Sequence, residues 1–182
     1  MNRIFYIFAL LVVMVAAPVY AETAGTETVN GEAVEALEWD ALMPADYFPE
    51  QSFDSSRLDS LGDDDPQAEI QLQTMMSALS SAPVVAEMHG KMVRMPGFVV
   101  PLTAEGQNVT EFFLVPYFGA CIHVPPPPSN QMLHVTFEPG IKIEHLYDAI
   151  WVTGKLKVEK VAHELGTAGY KLDAFIIEPY EE

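Results

Sequence analysis

The hydrophobic pattern changes near residue 90, and the second half of the chain carries the pattern of β-strands. Stretches rich in β-branched and aromatic residues alternate there with short turn sequences, which is typical of strands. The predicted strands cover residues 92–102, 109–117, 131–137, 150–158 and 170–177. We therefore expect residues 90–182 to form a mainly β domain.

The order of these elements predicts how the sheet closes. Residues 143–149 can form a short helix between the third and fourth strands, and Pro96-Gly97 predicts a bulge or sharp bend in the first strand. A bent first strand coils a small sheet, and three strands, a short helix and two strands are the order of a five-stranded OB-like barrel. Trp151 is assigned to the barrel core, and Gly154 to a bulge or a close contact.

Residues 36–89 are predicted to form a helical arm that packs on the barrel. Apolar residues recur at helical spacing from Ile70 to Leu79, Asp65-Pro66 is a helix start, and Pro83 is a stop. Three aromatic side chains before this helix are expected to anchor the arm: Trp39, Tyr47 and Phe48.

The N-terminus has the pattern of a secretory signal peptide over residues 1–21. Arg3 gives a positive start, residues 4–17 form an apolar run, and Ala21 ends a small-residue cleavage site. An uncleaved membrane anchor is the alternative, but the run is short for a span. We expect cleavage, a periplasmic location, no membrane embedding of the mature chain, and a disordered leader over residues 22–35.

The charge balance excludes one class of partner. The chain has 26 acidic and 9 basic residues, a formal net charge of −17, and most of the acidic excess lies before Gly90. Such a chain is repelled by the phosphates of nucleic acid and by anionic lipid. We therefore expect no nucleic-acid partner.

The candidate chemistry lies in the stretch Phe118–Gln131. It holds the only cysteine, Cys121, followed by His123 and by four consecutive prolines, which make a stiff, extended loop. Thiolate and imidazole are good zinc ligands, and residues two apart in an extended segment project to the same side. His134, on the third strand, is the best third ligand. Weaker candidates are His89, His145, His163 and Glu178, and Asn130 and Gln131 are candidates for orienting the ligands.

Other interpretations of the same residues stay open. Copper(I) is a variant, because Met88, Met92, Met95 and Met132 are soft thioethers near these histidines. A protein-docking module would use the polyproline loop with Tyr117 and Phe118, leaving Cys121 as a buried core thiol. A thiol enzyme is the third possibility, with His123 as base. No third orienting residue is evident for it, so we expect no enzyme.

Three sequence blocks, 90–102, 111–131 and 151–156, resemble an exported bacterial family known as domain of unknown function 3299. The resemblance covers most of the segment from Lys91 to Pro179. It implies a small envelope protein, associated with envelope ABC-transport systems and with transition-metal homeostasis. Components of an envelope ABC transporter are therefore the expected partners, and an accessory protein that binds zinc is the expected function.

Overall fold

The structure is a computed structural model that describes residues 28–49, 65–120, 126–142 and 148–181. The predicted mainly β architecture is confirmed, because five strands close into a barrel in the order β4-β5-β6-β8-β7, with β7 pairing back onto β4. The strands are β1 Thr28–Val29, β2 Glu32–Ala33, β3 Glu35–Ala36, β4 Met92–Glu105, β5 Asn108–Val115, β6 Leu133–Lys142, β7 Ile150–His163 and β8 Gly166–Pro179.

One α-helix within these ranges, α1 (Pro66–Ser80), lies in the arm where the sequence predicts it. Pro66 stands at its first position, and the Asp65 side chain caps it by accepting a hydrogen bond from the backbone N–H of Gln67 at 2.8 Å. No helix in the described part of the chain is long and apolar enough to cross a membrane. The short helix predicted over residues 143–149 falls mostly on residues 143–147, outside the described ranges.

Side chains alternate between two hydrophobic clusters on the two faces of the barrel wall. Phe112 and Leu114 face the barrel interior, while Phe113 and Val115 face outward. The inner core has as its largest fully buried members Tyr170, Phe112, Leu42, Met95, Leu114 and Leu133. The outer cluster consists of Val100, Phe113, Val115, Ala120, Met132 and Ala168, with Phe98, Leu102 and Leu165 packed against it.

The first barrel strand changes partner where the sequence predicts a bend. β4 pairs with β7 up to Gly97 and with β5 from Phe98 onward. The register shifts of β4 lie further along, between Pro101 and Ala104. Gly97 is required by packing, since a Cβ there would lie 2.7 Å from Cγ of Leu114. The bulge and the change of partner are thus separate features of one strand.

The assignment of Trp151 to the barrel core is wrong. Val152 and Leu156 of β7 face the interior, so the alternation turns Trp151 outward. Its ring stacks on Tyr180 at 5.2 Å between centroids, and the Arg94 guanidinium lies 4.5 Å from the Trp151 ring centroid. A Cβ at Gly154 would collide with the backbone of β8, so the predicted close contact is present.

Residues 28–36 form three short strands, while residues 22–27 of the predicted leader lie outside the described ranges. β1 and β2 form a hairpin whose turn residues, Asn30 and Gly31, both have positive φ, the pattern of a two-residue hairpin turn. β3 adds to β4 in parallel. Two exposed ion pairs hold this segment on the barrel: Lys91–Glu35 at 3.0 Å and Lys155–Glu32 at 2.8 Å.

The arm is bound to the barrel through aromatic side chains. The Trp39 indole N–H donates to the carbonyl of Pro96 at 2.8 Å. The Tyr170 hydroxyl accepts from the backbone N–H of Val85 at 2.7 Å and donates to the carbonyl of Leu42 at 2.8 Å. Of the other two predicted anchors, Tyr47 is half-buried, whereas Phe48 is 48% exposed.

Candidate functional site

The connection between β5 and β6 carries the predicted site, and the structure describes its two ends. Ala120 is buried in the outer cluster, and Pro127 is buried on the far side. Cys121 and His123 lie within residues 121–125, outside the described ranges, so the structure does not locate these two predicted ligands. Of the three preferred ligands, Cys121, His123 and His134, only His134 has surroundings that the structure describes.

The end of this connection is fastened to the arm by side-chain amides. Asn130 Nδ2 donates to the carbonyl of Pro83 at 2.8 Å, and Gln131 Nε2 donates to the carbonyl of Trp39 at 2.9 Å. Both amide nitrogens therefore anchor the loop to the arm, which is a role that the sequence did not predict for them. Asn130 is fully buried, so this anchor belongs to the folded core.

His134 lies on the outer face of β6, between two residues that face the barrel interior. Its side chain is 7% exposed, and its Nε2 lies 2.7 Å from Oε1 of Glu111 on β5. The other carboxylate oxygen of Glu111 accepts a hydrogen bond from Thr103 Oγ1 on β4 at 2.9 Å. Hydrogen bonds thus link three neighbouring strands in the order Thr103, Glu111, His134.

The hydrogen-bond partners of His134 indicate which ring nitrogen is available. An ionised carboxylate only accepts hydrogen bonds, so Nε2 of His134 is the donor to Glu111. In the neutral imidazole, Nδ1 then carries the lone pair. This Nδ1 is buried and has no hydrogen-bond partner among the described residues. A buried nitrogen without a partner is uncommon, which makes Nδ1 of His134 the candidate ligating atom of this ring.

Other buried polar atoms in the described ranges also lack a partner, but none of them is a usual transition-metal ligand. They are Tyr47 Oη, Arg94 Nε, Asn130 Oδ1 and Thr153 Oγ1. Imidazole nitrogen, by contrast, is a common ligand of zinc and copper. His134 Nδ1 therefore stands apart from these equally buried atoms by its chemistry.

The other described histidines have their Nδ1 atoms engaged. Nδ1 of His89 accepts from the backbone N–H of Val158 at 3.1 Å, and Nδ1 of His163 accepts from that of Leu165 at 3.2 Å. A neutral imidazole that accepts at Nδ1 carries its proton on Nε2, so neither ring has a vacant lone pair. The weaker candidates His145 and Glu178 add nothing, because His145 lies outside the described ranges and Glu178 pairs with Arg94 at 3.2 Å.

Aromatic and charged neighbours complete the surroundings of His134. Phe113 meets the ring edge-on with centroids 6.1 Å apart, and His163 meets the same phenyl ring at 5.9 Å. The hydrogen bond from Thr103 is the largest cause of a lowered pKa at Glu111; burial opposes it, while His134 and the charge of Lys171 lower the pKa further. Glu111 is therefore a carboxylate at neutral pH.

Three of the four methionines behind the copper interpretation belong to the hydrophobic clusters, and the fourth, Met92, is also buried. Met88 and Met95 are buried in the inner core, and Met132 in the outer cluster. Within the part of the chain that the structure describes, no three His, Cys, Asp or Glu side chains are grouped to hold a metal.

Sequence reasoning missed Glu111. It is the only charged residue in β5, and the sequence does not show which residues of the neighbouring strands lie opposite it. The signal in the sequence is a single carboxylate in a strand rich in apolar residues. That it lies beside His134 of β6 follows only from the strand register.

The chain belongs to a family of proteins of unknown function, DUF3299, whose model matches residues 39–179. The crystal structure of a DUF3299 family protein from Pseudomonas aeruginosa PAO1 is 37% identical, with a TM-score of 0.64. The match covers 82% of this chain and 98% of that one. The predicted family is thus confirmed, and it includes most of the arm as well as the barrel.

A more distant match is an OBody bound to hen egg-white lysozyme, which is 17% identical with a TM-score of 0.34. It covers 52% of this chain and 86% of that one, and the similarity is too low to support any conclusion. No curated protein matches the chain.

Proposed function

We propose that this protein is a periplasmic accessory protein that binds a transition-metal ion without catalysing a reaction. Zinc is the preferred ion, and His134, Cys121 and His123 are its ligands. One observation carries the proposal: His134 is buried, its Nε2 is bound to Glu111, and its Nδ1 has no partner among the described residues. A neutral imidazole held in this way is prepared to ligate a metal.

The proposed ligand set matches the preferences of zinc. Zinc takes nitrogen and sulfur ligands in tetrahedral sites, and three protein ligands leave one position for water or for a group from a partner. Copper(I) is less favoured, because Met95 and Met132 are fully buried within hydrophobic clusters. Thioethers packed in this way act as core side chains.

A role in envelope transport follows from the same proposal. A metal-carrying protein with an open ligand position can pass its ion to another protein, and components of an envelope ABC transporter are the expected recipients. The family relationship is consistent with this role but carries no biochemical assignment of its own.

A docking module is the second candidate, and the aromatic pair at the start of the loop favours it. Tyr117 and Phe118 are 45% and 44% exposed, and the Phe118 ring lies edge-on to Phe98 at 6.2 Å. Pro127, in contrast, is buried, so the later prolines are less suited to contact a partner. Docking through these two aromatic rings is compatible with metal binding at the same loop.

Elemental analysis of the untagged chain, purified without chelator, tests the metal proposal. We expect near-stoichiometric zinc in the wild type and its loss in Cys121→Ser and in His123→Ala, with a lower melting temperature in each. Tyr117→Ala is the matched control in the same connection and should keep its zinc.

Two results would decide against zinc binding. A metal-free wild type, even after reconstitution under reducing conditions, would contradict the metal site. A metal-free protein whose Cys121 alkylates rapidly would favour a thiol enzyme instead, with His123 as base.

A further inference from the structure

The choice of ligating nitrogen in a histidine is set by the partner of the other nitrogen. An imidazole whose Nε2–H is donated to a carboxylate keeps its lone pair on Nδ1 and is fixed in orientation. At His134 this partner is Glu111, at 2.7 Å. The histidine itself is 5% exposed, so water does not readily replace the carboxylate.

Glu111 is itself held in place from two sides. Its backbone lies in the register of the sheet, opposite Thr103 on β4 and Thr136 on β6. Its Oε2 accepts from the Thr103 hydroxyl at 2.9 Å, which leaves Oε1 facing the imidazole. The carboxylate is therefore directed by a neighbouring strand, although its side chain is 39% exposed.

We infer that Glu111 is the positioning residue of the metal site: it fixes the proton of His134 on Nε2 and thereby makes Nδ1 the ligating atom. This inference rests on the proposed function in one respect, namely that the ligand of Nδ1 is a metal ion. The protonation of His134 in the metal-free protein does not depend on that function and can be measured separately.

Imidazole nitrogen NMR of the metal-free, uniformly ¹⁵N-labelled chain measures the protonation directly. His134→Gln identifies the His134 signals by their loss. In the wild type we expect a protected Nε2–H proton and an unprotonated Nδ1. In Glu111→Ala, the protected proton should be lost to exchange with water. Glu138 is an exposed acid on β6, the strand of His134, and Glu138→Ala should leave the proton unchanged.

Zinc titration of the same proteins measures the consequence for the metal. Loss of a carboxylate behind a ligating histidine weakens binding by about 10–100-fold, and we expect this for Glu111→Ala. Thr103→Val should weaken binding less, because it leaves the contact between Glu111 and His134 in place.

The outcomes separate the two proposals. A wild-type spectrum with the proton on Nδ1, or a protected Nε2–H that survives in Glu111→Ala, would overturn the positioning role. The wild-type spectrum decides this point even if Glu111→Ala does not fold. The expected spectra without any zinc binding would instead contradict the proposed function, while Glu111 would still be the group that orients His134.

Discussion

Tyr170 and His134 are both buried polar rings of one barrel, but they differ in how fully they are hydrogen-bonded. Tyr170 faces the inner core, and its hydroxyl accepts from Val85 and donates to Leu42. His134 faces outward, and only one of its two nitrogens has a partner among the described residues. The hydroxyl of Tyr170 is thus fully used in joining the arm to the barrel, whereas the imidazole of His134 keeps one nitrogen that can bind a ligand.

The largest effect on stability is expected at Tyr170, whose hydroxyl both accepts and donates a hydrogen bond. Tyr170→Phe leaves a partly buried N–H and a buried carbonyl without their partner, which costs about 2–4 kcal/mol of the free energy of unfolding. Burial raises the pKa of Tyr170, so the hydroxyl keeps its proton at neutral pH. Urea unfolding measures the change, and Tyr180→Phe, at a ring 42% exposed, is the control. Equal stability of the two variants would show that Tyr170 does not join the arm to the barrel.

A smaller effect is expected where the loop is fastened to the arm. Asn130→Ala removes the buried bond to the Pro83 carbonyl and should lower the free energy of unfolding by about 1–3 kcal/mol. The exposed Gln73→Ala should change it by less than about 0.5 kcal/mol. Urea unfolding of both variants tests this. If Asn130→Ala has the same free energy of unfolding as the wild type, the arm does not fix the end of the loop.

The network of Thr103, Glu111 and His134 on the outer face of the barrel should contribute less to stability, and its contribution should depend on pH. The pKa of Glu111 is lowered in the folded state, first by the Thr103 hydrogen bond, so its contribution to stability is present above the unfolded pKa and lost as pH falls through the folded pKa. Thr103→Val should therefore cost less than about 1 kcal/mol at neutral pH, and the cost should shrink on acidification. Urea midpoints from neutral pH to pH 3 check the trend, and a cost that grows in acid would contradict it.

The smallest effect is expected in the N-terminal hairpin. Lys155 and Glu32 are both exposed, so Lys155→Met should change stability by about 0.5 kcal/mol or less, and high salt should abolish the difference. Lys160→Met is the control. A loss of several kcal/mol, measured by urea unfolding at low salt, would mean that the hairpin is required for the barrel.

The sequence predicts the barrel because its strands have strong local patterns. β-branched and aromatic stretches mark each strand, and Asp65-Pro66 and Pro83 bracket the helix. The short strands of residues 28–36 were not predicted because each is only two residues long: β1 and β2 pair with each other, and β3 pairs with β4 of the barrel. Short pairings of this kind have no periodicity of their own.

The site was harder to predict, because its contacts cross between strands. His134 was a candidate by its position after the loop, but nothing local distinguishes it from His89 or His163. The distinction comes from the neighbours of each ring, and these depend on register. Glu111 was missed for the same reason, since a carboxylate on β5 gains its meaning only from the residue opposite it on β6.

Zinc titration of the wild type, His134→Gln and His134→Asn is the most direct test of the claim that His134 binds a metal through Nδ1. The glutamine amide can still reach Glu111 but has no atom in the place of Nδ1, whereas His89→Asn keeps an acceptor for Val158 and serves as control. We expect zinc binding in the wild type and the control, and binding weakened at least about tenfold in both His134 variants. Equal zinc affinity in His134→Gln and the wild type would show that the free nitrogen of His134 is not a ligand.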